Sequence, residues 1–221
     1  MKHLLLLLVF KLCSFAGYSQ EEPFFDSSWA IYGRAGVNSA GTRGWYPGQA
    51  ELKRTVGFNV GVGYSQAINF REDTWVNAEA SFSQQGFKFT NVAAPEDPES
   101  VSLNYLNIPV FVRYFPFPNM RNVYVGGGAQ IGIRLDGRIT ARNGTMYRIN
   151  ENDFPRTDWS GIGVAGIHFA KRTDLGLEVR YQHGLTSISR EVAGVKQSVI
   201  QVDLFFPGSF LMDILSIGVF L

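Results

Sequence analysis

Residues 174–183 read Asp-Leu-Gly-Leu-Glu-Val-Arg-Tyr-Gln-His, and apolar side chains alternate with polar residues or glycine along the whole stretch. Successive side chains of a β-strand point to opposite faces, so this alternation predicts a strand with one apolar and one polar face. The apolar face holds Leu175, Leu177, Val179 and Tyr181, and the opposite face holds Gly176, Glu178, Arg180 and Gln182.

The same periodicity recurs along the chain and predicts seven further strands. They are residues 29–38, 55–67, 75–85, 103–115, 122–135, 159–169 and 198–206. The long connections 39–54, 86–102, 136–158 and 184–197 alternate with the short connections 68–74, 116–121 and 170–173. About 9–11 tilted residues cross a bilayer as a strand, and outer-membrane barrels have long loops on one side. The sequence therefore predicts an all-β fold, an antiparallel eight-stranded transmembrane β-barrel with long extracellular loops and short periplasmic turns.

The N-terminus has the pattern of a secretory signal peptide. Met1-Lys2-His3 is basic, residues 4–10 are an unbroken apolar run, and Gly17-Tyr18-Ser19 is a small-x-small cleavage pattern. We therefore predict a cleaved signal peptide at 1–19, a single barrel domain at 20–221, and export to the cell outer membrane. The one cysteine, Cys13, leaves with the signal. The tail 207–221 leaves two alternatives for the last strand, 198–206 or 211–221.

Charge placement predicts which face of the wall is outside. Seven charged residues fall on the polar faces of their strands, and a basic side chain facing lipid at the bilayer midplane costs about 2–4 kcal/mol. The apolar face is therefore predicted to meet lipid and the polar face to line the lumen. We interpret the seven residues as a structural ionic network of the barrel interior: Arg34, Glu79, Arg113, Arg134, Glu178, Arg180 and Asp203. A soluble lipocalin-like carrier, with its apolar face inside, is the competing fold.

Composition gives few indications of chemistry. The formal net charge of +1 offers no basic excess for nucleic acid. His168 and His183 lack a second histidine or cysteine at ligand spacing, and no Gly-x-Ser-x-Gly motif occurs. We therefore predict no enzymatic activity, no cofactor, no metal site and no nucleic-acid partner.

Three stretches resemble the PorT-like outer-membrane β-barrel family of Bacteroidota. Residues 103–115 (LNYLNIPVFVRYF) are similar to its "LNYLEIP…KYY" strand, and 123–132 (VYVGGGAQIG) to the strand that follows. Residues 175–186 (LGLEVRYQHGLT) resemble its "lgleaRYqyGLt" segment. The resemblance implies a small barrel in the outer membrane, and the family's namesake is linked to type IX protein secretion and gliding.

Two classes of function follow as hypotheses. The first is a structural or interaction role in the cell envelope, linked to protein secretion through the resemblance. The alternative is a small channel or ligand-binding barrel for an anionic solute. Expected partners are outer-membrane lipid and lipopolysaccharide, the barrel-assembly machinery during insertion, and envelope or secretion proteins. Lys53-Arg54, Arg142 and Arg148 are predicted near the outer leaflet, where basic groups meet lipopolysaccharide phosphates.

Overall fold

The computed structural model describes eight ranges of the chain. They are residues 29–43, 51–69, 71–90, 98–117, 122–149, 155–169, 175–187 and 195–210. The predicted signal peptide and the alternative last strand 211–221 lie outside these ranges. No helical segment in the described ranges has the length and hydropathy of a membrane-spanning helix.

Nine strands account for most of the described residues. They are β1 Trp29–Arg43, β2 Glu51–Ala67, β3 Thr74–Thr90, β4 Pro98–Tyr114, β5 Val123–Ala141, β6 Met146–Arg148, β7 Thr157–His168, β8 Gly176–Ser187 and β9 Lys196–Pro207. Eight of them form the wall, and all wall pairings are antiparallel. The short β6 folds back on the C-terminal part of β5, around a turn whose tip is Gly144, at φ 84°.

The barrel closes between its first and last strands. β9 pairs with β8 on one side and with β1 on the other, with Tyr32 opposite Pro207 and Arg43 opposite Lys196. The predicted eight-stranded antiparallel barrel is confirmed. The closing strand contains residues 198–206, because β9 already occupies the position next to β1.

The strands extend further than predicted at the end of the barrel away from Trp29 and Pro207, called here the loop end. β3 reaches Thr90, beyond the predicted limit of 85, and β5 reaches Ala141. Backbone pairing continues where the outward side chains no longer need to be apolar, so the alternation fades before the strand ends. Connections 44–50, 91–97 and 188–195 are consequently shorter than predicted and similar in length to 68–73, 115–122 and 169–175.

The two faces of the wall differ in polarity. Outward-pointing residues form a continuous apolar band, in which Val56 is 82% exposed. Others in the band are Ile31, Val37, Phe58, Val60, Val62, Ile108, Val110, Val112, Val125, Val179, Val202 and Leu204. Inward positions hold buried polar residues such as Asn77, Glu79 and Arg180. This arrangement is the reverse of a lipocalin, so the soluble-carrier alternative is wrong.

Aromatic side chains mark the end of the barrel that holds Trp29 and Pro207, called here the terminal end. Trp29 and Tyr64 are exposed and stacked with ring centroids 6.3 Å apart, and Tyr114 is exposed nearby on β4. Such rings are typical of the interfacial girdle of outer-membrane barrels. Trp75, near the same end of β3, does not join these rings and is buried in the lumen. Its indole Nε1 donates to the carbonyl of Glu72 at 2.9 Å.

Two inward-facing glycines make room for buried tyrosine rings. A Cβ atom on Gly166 would overlap the ring of Tyr124, and one on Gly63 would overlap the ring of Tyr32. Both rings are almost completely buried, so they have little freedom to move aside. By contrast, a Cβ on Gly161, whose neighbours Ser160 and Ile162 point inward, would meet nothing within 4 Å.

We expect Gly166→Ala to lower the free energy of unfolding by about 1–3 kcal/mol, the usual cost of overpacking a close-packed interior. The matched control is Gly161→Ala on the same strand, which we expect to change stability by less than about 0.5 kcal/mol. Urea unfolding of the barrel in phospholipid vesicles, followed by tryptophan fluorescence, measures both. Equal losses in the two variants would contradict the packing explanation.

Candidate functional site

The lumen is filled by side chains in four layers along the barrel axis. Along β4, from the terminal end to the loop end, the inward residues Phe111, Asn107 and Leu103 pass from aromatic to amide to aliphatic character. Along β3, Glu79, Gln85 and Phe87 follow the same direction. We name these layers the aromatic layer, the ionic cluster, the amide layer and the apolar layer.

The members of each layer are as follows. The aromatic layer contains Tyr32, Phe111, Tyr124, Ile162, Val164 and Phe205. The ionic cluster contains Arg34, Glu79, Arg113, Glu178, Arg180 and Asp203. The amide layer contains Asn38, Asn59, Gln85, Asn107, Gln130 and Gln182. The apolar layer contains Phe87, Val101, Leu103, Tyr105 and Val195.

Glu79 lies at the centre of the ionic cluster. Its carboxylate accepts hydrogen bonds from Arg34 Nη1 at 2.5 Å and from Arg180 Nη1 and Nη2 at 2.8 and 3.0 Å. The hydroxyl of Tyr32 donates to Oε1 at 2.7 Å. The Glu79 side chain is completely buried. These four charge-assisted bonds replace the water that a buried carboxylate has lost.

Glu178 is a second acceptor for the same arginines. Arg180 Nη2 donates to it at 2.7 Å, Arg113 Nη2 at 3.2 Å, and the hydroxyl of Tyr124 at 2.7 Å. Arg180 therefore bridges Glu178 on its own strand to Glu79 on β3, across the lumen. Asp203 on β9 completes the cluster through its ion pair with Arg34.

The cluster contains three arginines and three carboxylates, so its formal charges cancel. Its members come from β1, β3, β4, β8 and β9, and Tyr124 adds a contact from β5. An isolated charge in this position would be costly, whereas mutually paired and hydrogen-bonded charges are tolerated. The cluster therefore spans the cross-section of the lumen and links strands that are not neighbours in the wall.

The ionic cluster is joined to the aromatic layer through Arg113. Its guanidinium carbon lies 4.8 Å from the ring centroid of Tyr32 and 4.9 Å from that of Tyr124. The rings of Phe111 and Phe205 are also within cation–π distance, at 5.3 and 5.6 Å. A cation enclosed by aromatic faces gains electrostatic stabilisation when it is desolvated.

The structure brings together six of the seven predicted network residues. Arg134 is buried as well, but it lies opposite Tyr105 in register, beyond the amide layer. Within the described ranges it forms no ion pair with the other six. Asp158, which the sequence places in a loop, is an inward-facing β7 residue whose carboxylate accepts from the hydroxyls of Ser160 and Thr186.

The sequence reasoning missed Tyr32 and Tyr124 as members of the ionic network. Both occupy inward positions of their strands, so the two-residue alternation was a usable signal. Their donation to Glu79 and Glu178 is set by contacts across the lumen, which alternation within one strand does not contain.

The amide layer is incompletely paired within the protein. Asn38 Nδ2 donates to Ser83 Oγ at 3.3 Å, and Gln182 Nε2 donates to Ser160 Oγ at 3.0 Å. Eight other buried amide atoms in this layer have no hydrogen-bonding partner among the described protein groups. Both amide atoms of Asn59 and of Asn107 are among them. Buried groups of this type are normally satisfied by ordered water or by a ligand.

The two described histidines lie in different surroundings. His168 packs against the rings of Phe115, Tyr124 and Phe205, with centroid distances of 4.8–5.8 Å. His183 lies beside Tyr181 on β8. In the part of the chain that the structure describes, no group of three histidine, cysteine or acidic residues is arranged to hold a metal ion.

We expect Glu79→Ala to lower the free energy of unfolding by about 3–5 kcal/mol, because it leaves Arg34 and Arg180 buried with unbalanced charge. Glu99→Ala, which removes an exposed carboxylate near the loop end, is the control and should change stability by less than about 0.5 kcal/mol. Chemical unfolding in phospholipid vesicles measures both. A decrease of less than about 1 kcal/mol in the free energy of unfolding for Glu79→Ala would show that the ionic cluster contributes little to stability.

Comparison with known proteins finds one matching family model and several similar solved structures. The family model described as "Outer membrane protein beta-barrel domain" matches residues 18–190. Among solved structures, 81% of the chain aligns with 99% of Ail, the attachment invasion locus protein of Yersinia pestis, at 16% identity and a TM-score of 0.46. Neisserial surface protein A gives 14% identity and 0.49, with 80% of this chain and 96% of that chain covered.

OprG of Pseudomonas aeruginosa gives 13% identity and a TM-score of 0.46, with 82% of this chain and 97% of that chain covered. No curated protein matches the chain. The family model covers most of the sequence, and the apolar outer band and closed antiparallel wall are those of a barrel in lipid. The chain is an outer-membrane protein and belongs to the outer membrane protein beta-barrel domain family.

Proposed function

We propose that this barrel is a closed structural and interaction protein of the cell envelope, which acts through its outer surface and its inter-strand connections. The observation that supports the proposal is the ionic cluster, which fills the lumen from five strands. An eight-stranded barrel has an interior only wide enough for side chains. Because the lumen is filled in this way, we expect the barrel to contact its partners through its outer surface.

The lumen is closed by more than the cluster. At the terminal end, Phe111, Tyr124 and Phe205 are buried together in the aromatic layer, and at the loop end Leu103 and Val101 are buried in the apolar layer. An ion crossing the barrel would meet two apolar layers and would also have to separate Arg180 from Glu79. Each of these steps opposes conduction, since an ion in an apolar layer loses its hydration without compensation.

The proposed partners are proteins of the cell envelope. The resemblance to PorT-like barrels suggests proteins of a secretion machine, bound at the periplasmic connections or at the loop end. Insertion itself would involve the barrel-assembly machinery. Under this proposal the barrel is not an enzyme and needs no cofactor.

A second candidate function, a barrel that binds a small polar solute, is favoured by the amide layer. Its eight unpaired amide atoms include both donors and acceptors and carry no charge. They would suit a neutral or zwitterionic solute better than the anionic solute suggested by the arginine count, because Arg34, Arg113 and Arg180 are already paired with carboxylates.

We expect the purified barrel to show no single-channel conductance in planar bilayers with potassium chloride. A porin of about 16 strands, whose lumen is a water-filled channel, is the instrument control, and Glu79→Ala combined with Arg180→Ala is the informative variant. This double variant should also remain non-conducting, because the aromatic and apolar layers stay in place. Discrete conductance steps in the unmodified protein would favour the channel alternative.

We expect photo-crosslinking in living cells to capture envelope proteins from the ends of the barrel and not from its band. A crosslinking amino acid in place of Tyr147 or Arg71 probes the two ends, and one in place of Val60 faces lipid as the control. Protein adducts specific to an end position support the interaction role. Identical adduct patterns from all three positions, or none from either end, would contradict it.

A further inference from the structure

The exterior of the barrel differs strongly between its two ends. At the terminal end the outward residues are aromatic, as with Trp29, Tyr64 and Tyr114. Near the loop end, outward positions of six strands carry basic residues: Arg43 on β1, Lys53 on β2, Lys88 on β3, Arg138 on β5, Arg148 on β6 and Lys196 on β9. We name these six residues the basic rim.

The strand register places the rim residues opposite one another in like-charged pairs. Arg43 lies opposite Lys196, Lys53 opposite Lys88, and Arg138 opposite Arg148. Directly opposed residues of antiparallel strands have Cβ atoms about 4.5–5.5 Å apart, and like charges in such positions destabilise the sheet. Three such pairs at one end of a barrel therefore need a compensating negative charge.

The rim side chains point away from the lumen. Lys53 and Lys88 alternate with Leu52 and Phe89, which pack inward against the apolar layer. The guanidinium of Arg43 lies 5.9 Å from the centroid of the outward-facing Tyr181 ring. The rim charges therefore project sideways from the wall, into the zone where lipid headgroups surround the barrel.

The protein compensates one of the three pairs. Asp136 forms ion pairs with Arg138 and Arg148, with a distance of 3.4 Å from each Nε to a carboxylate oxygen. Among the side chains that the structure describes, which do not include that of Glu51, no carboxylate lies within ion-pair distance of Lys53, Lys88, Arg43 or Lys196. Within the described part of the chain, the pairs Lys53–Lys88 and Arg43–Lys196 therefore keep their mutual repulsion.

We propose that the pairs Lys53–Lys88 and Arg43–Lys196 each bind a phosphate group of the outer-leaflet glycolipid. A phosphate between two cations accepts a charge-assisted hydrogen bond from each and removes the repulsion between them. Val56, three residues from Lys53 on the same strand, belongs to the apolar band, so the pair lies at the edge of the hydrocarbon layer. If these pairs bind phosphates of the outer leaflet, the loop end lies at the cell surface.

The inference rests on membrane insertion and is independent of the interaction role proposed above. A lipid phosphate fits better than a soluble polyanion, because the charges flank the wall where lipid packs and do not face along the barrel axis into water. Each basic group near a membrane surface contributes about 1 kcal/mol to binding of anionic lipid. Removal of one rim charge should therefore weaken glycolipid binding roughly fivefold.

The test compares variants in two lipid environments. The probe is a bisphosphorylated glucosamine-disaccharide glycolipid, and its enzymatically dephosphorylated form is the control, both in bilayers of neutral phospholipid. Lys53→Gln and Lys196→Gln should each weaken binding of the phosphorylated glycolipid roughly fivefold. Arg71→Gln, which removes an exposed charge at the terminal end, should leave binding unchanged.

We expect Lys53→Glu to stabilise the barrel in detergent and to weaken glycolipid binding in bilayers. In neutral detergent it should raise the thermal unfolding midpoint, because it replaces a repulsive pair with an ion pair to Lys88. In bilayers with the phosphorylated glycolipid it should bind more weakly than the unmodified protein. Equal binding of the phosphorylated and dephosphorylated glycolipids would overturn the proposal. If inorganic phosphate in detergent stabilises the protein as much as the phosphorylated glycolipid does, the proposal is also overturned, in favour of a soluble-anion site.

Discussion

The rest of the lumen depends on the ion pairs that Glu79 forms with Arg34 and Arg180. A carboxylate so deep in a narrow barrel must be neutralised by protein groups, and two arginines overcompensate its charge. The excess positive charge requires further carboxylates, which Asp203 and Glu178 provide. Glu178 in turn pairs with Arg113, whose guanidinium is enclosed by aromatic rings. The ionic cluster and the aromatic layer are therefore one connected structure.

The layered lumen has a consequence for how the barrel can act. Charged, amide and apolar side chains occupy successive levels, and the charged level contains equal numbers of cations and anions. A lumen arranged in this way stabilises the wall by linking opposite strands. It also leaves the outer surface for contacts with partners, and there the apolar band, the terminal-end aromatic residues and most of the basic rim are exposed.

The outer surface determines how the barrel is positioned in the membrane. Hydrophobic residues fix the depth of the barrel in the bilayer, and the different chemistry of its two ends gives it a direction across the membrane. Like-charged neighbours at Lys53–Lys88 would be unfavourable in a water-soluble sheet. In a membrane whose outer leaflet presents phosphate groups, the same pair becomes favourable, so the surroundings decide the sign of the interaction.

The number of strands, the face of most wall residues and the address in the outer membrane follow from the sequence, because alternation is a local property of the chain. The alternation placed Arg34, Glu79 and Arg180 inside without any structure. The same local signal put the strand ends too early, since pairing continues past the bilayer where outward residues are no longer apolar. It also gave Tyr124 no place in the ionic network and placed Asp158 in a loop.

Which charges meet was decided by the tertiary structure alone. Strands tilt as a barrel closes, so partners across the lumen are fixed by the stagger between strands, which no single strand encodes. For this reason Arg134 shares the face and burial of the other six network residues but lies at another level, opposite Tyr105. The pairing of Lys53 with Lys88 likewise appears once the register of β2 and β3 is known. The sequence determined the two faces of the wall, and closure of the barrel determined the contacts.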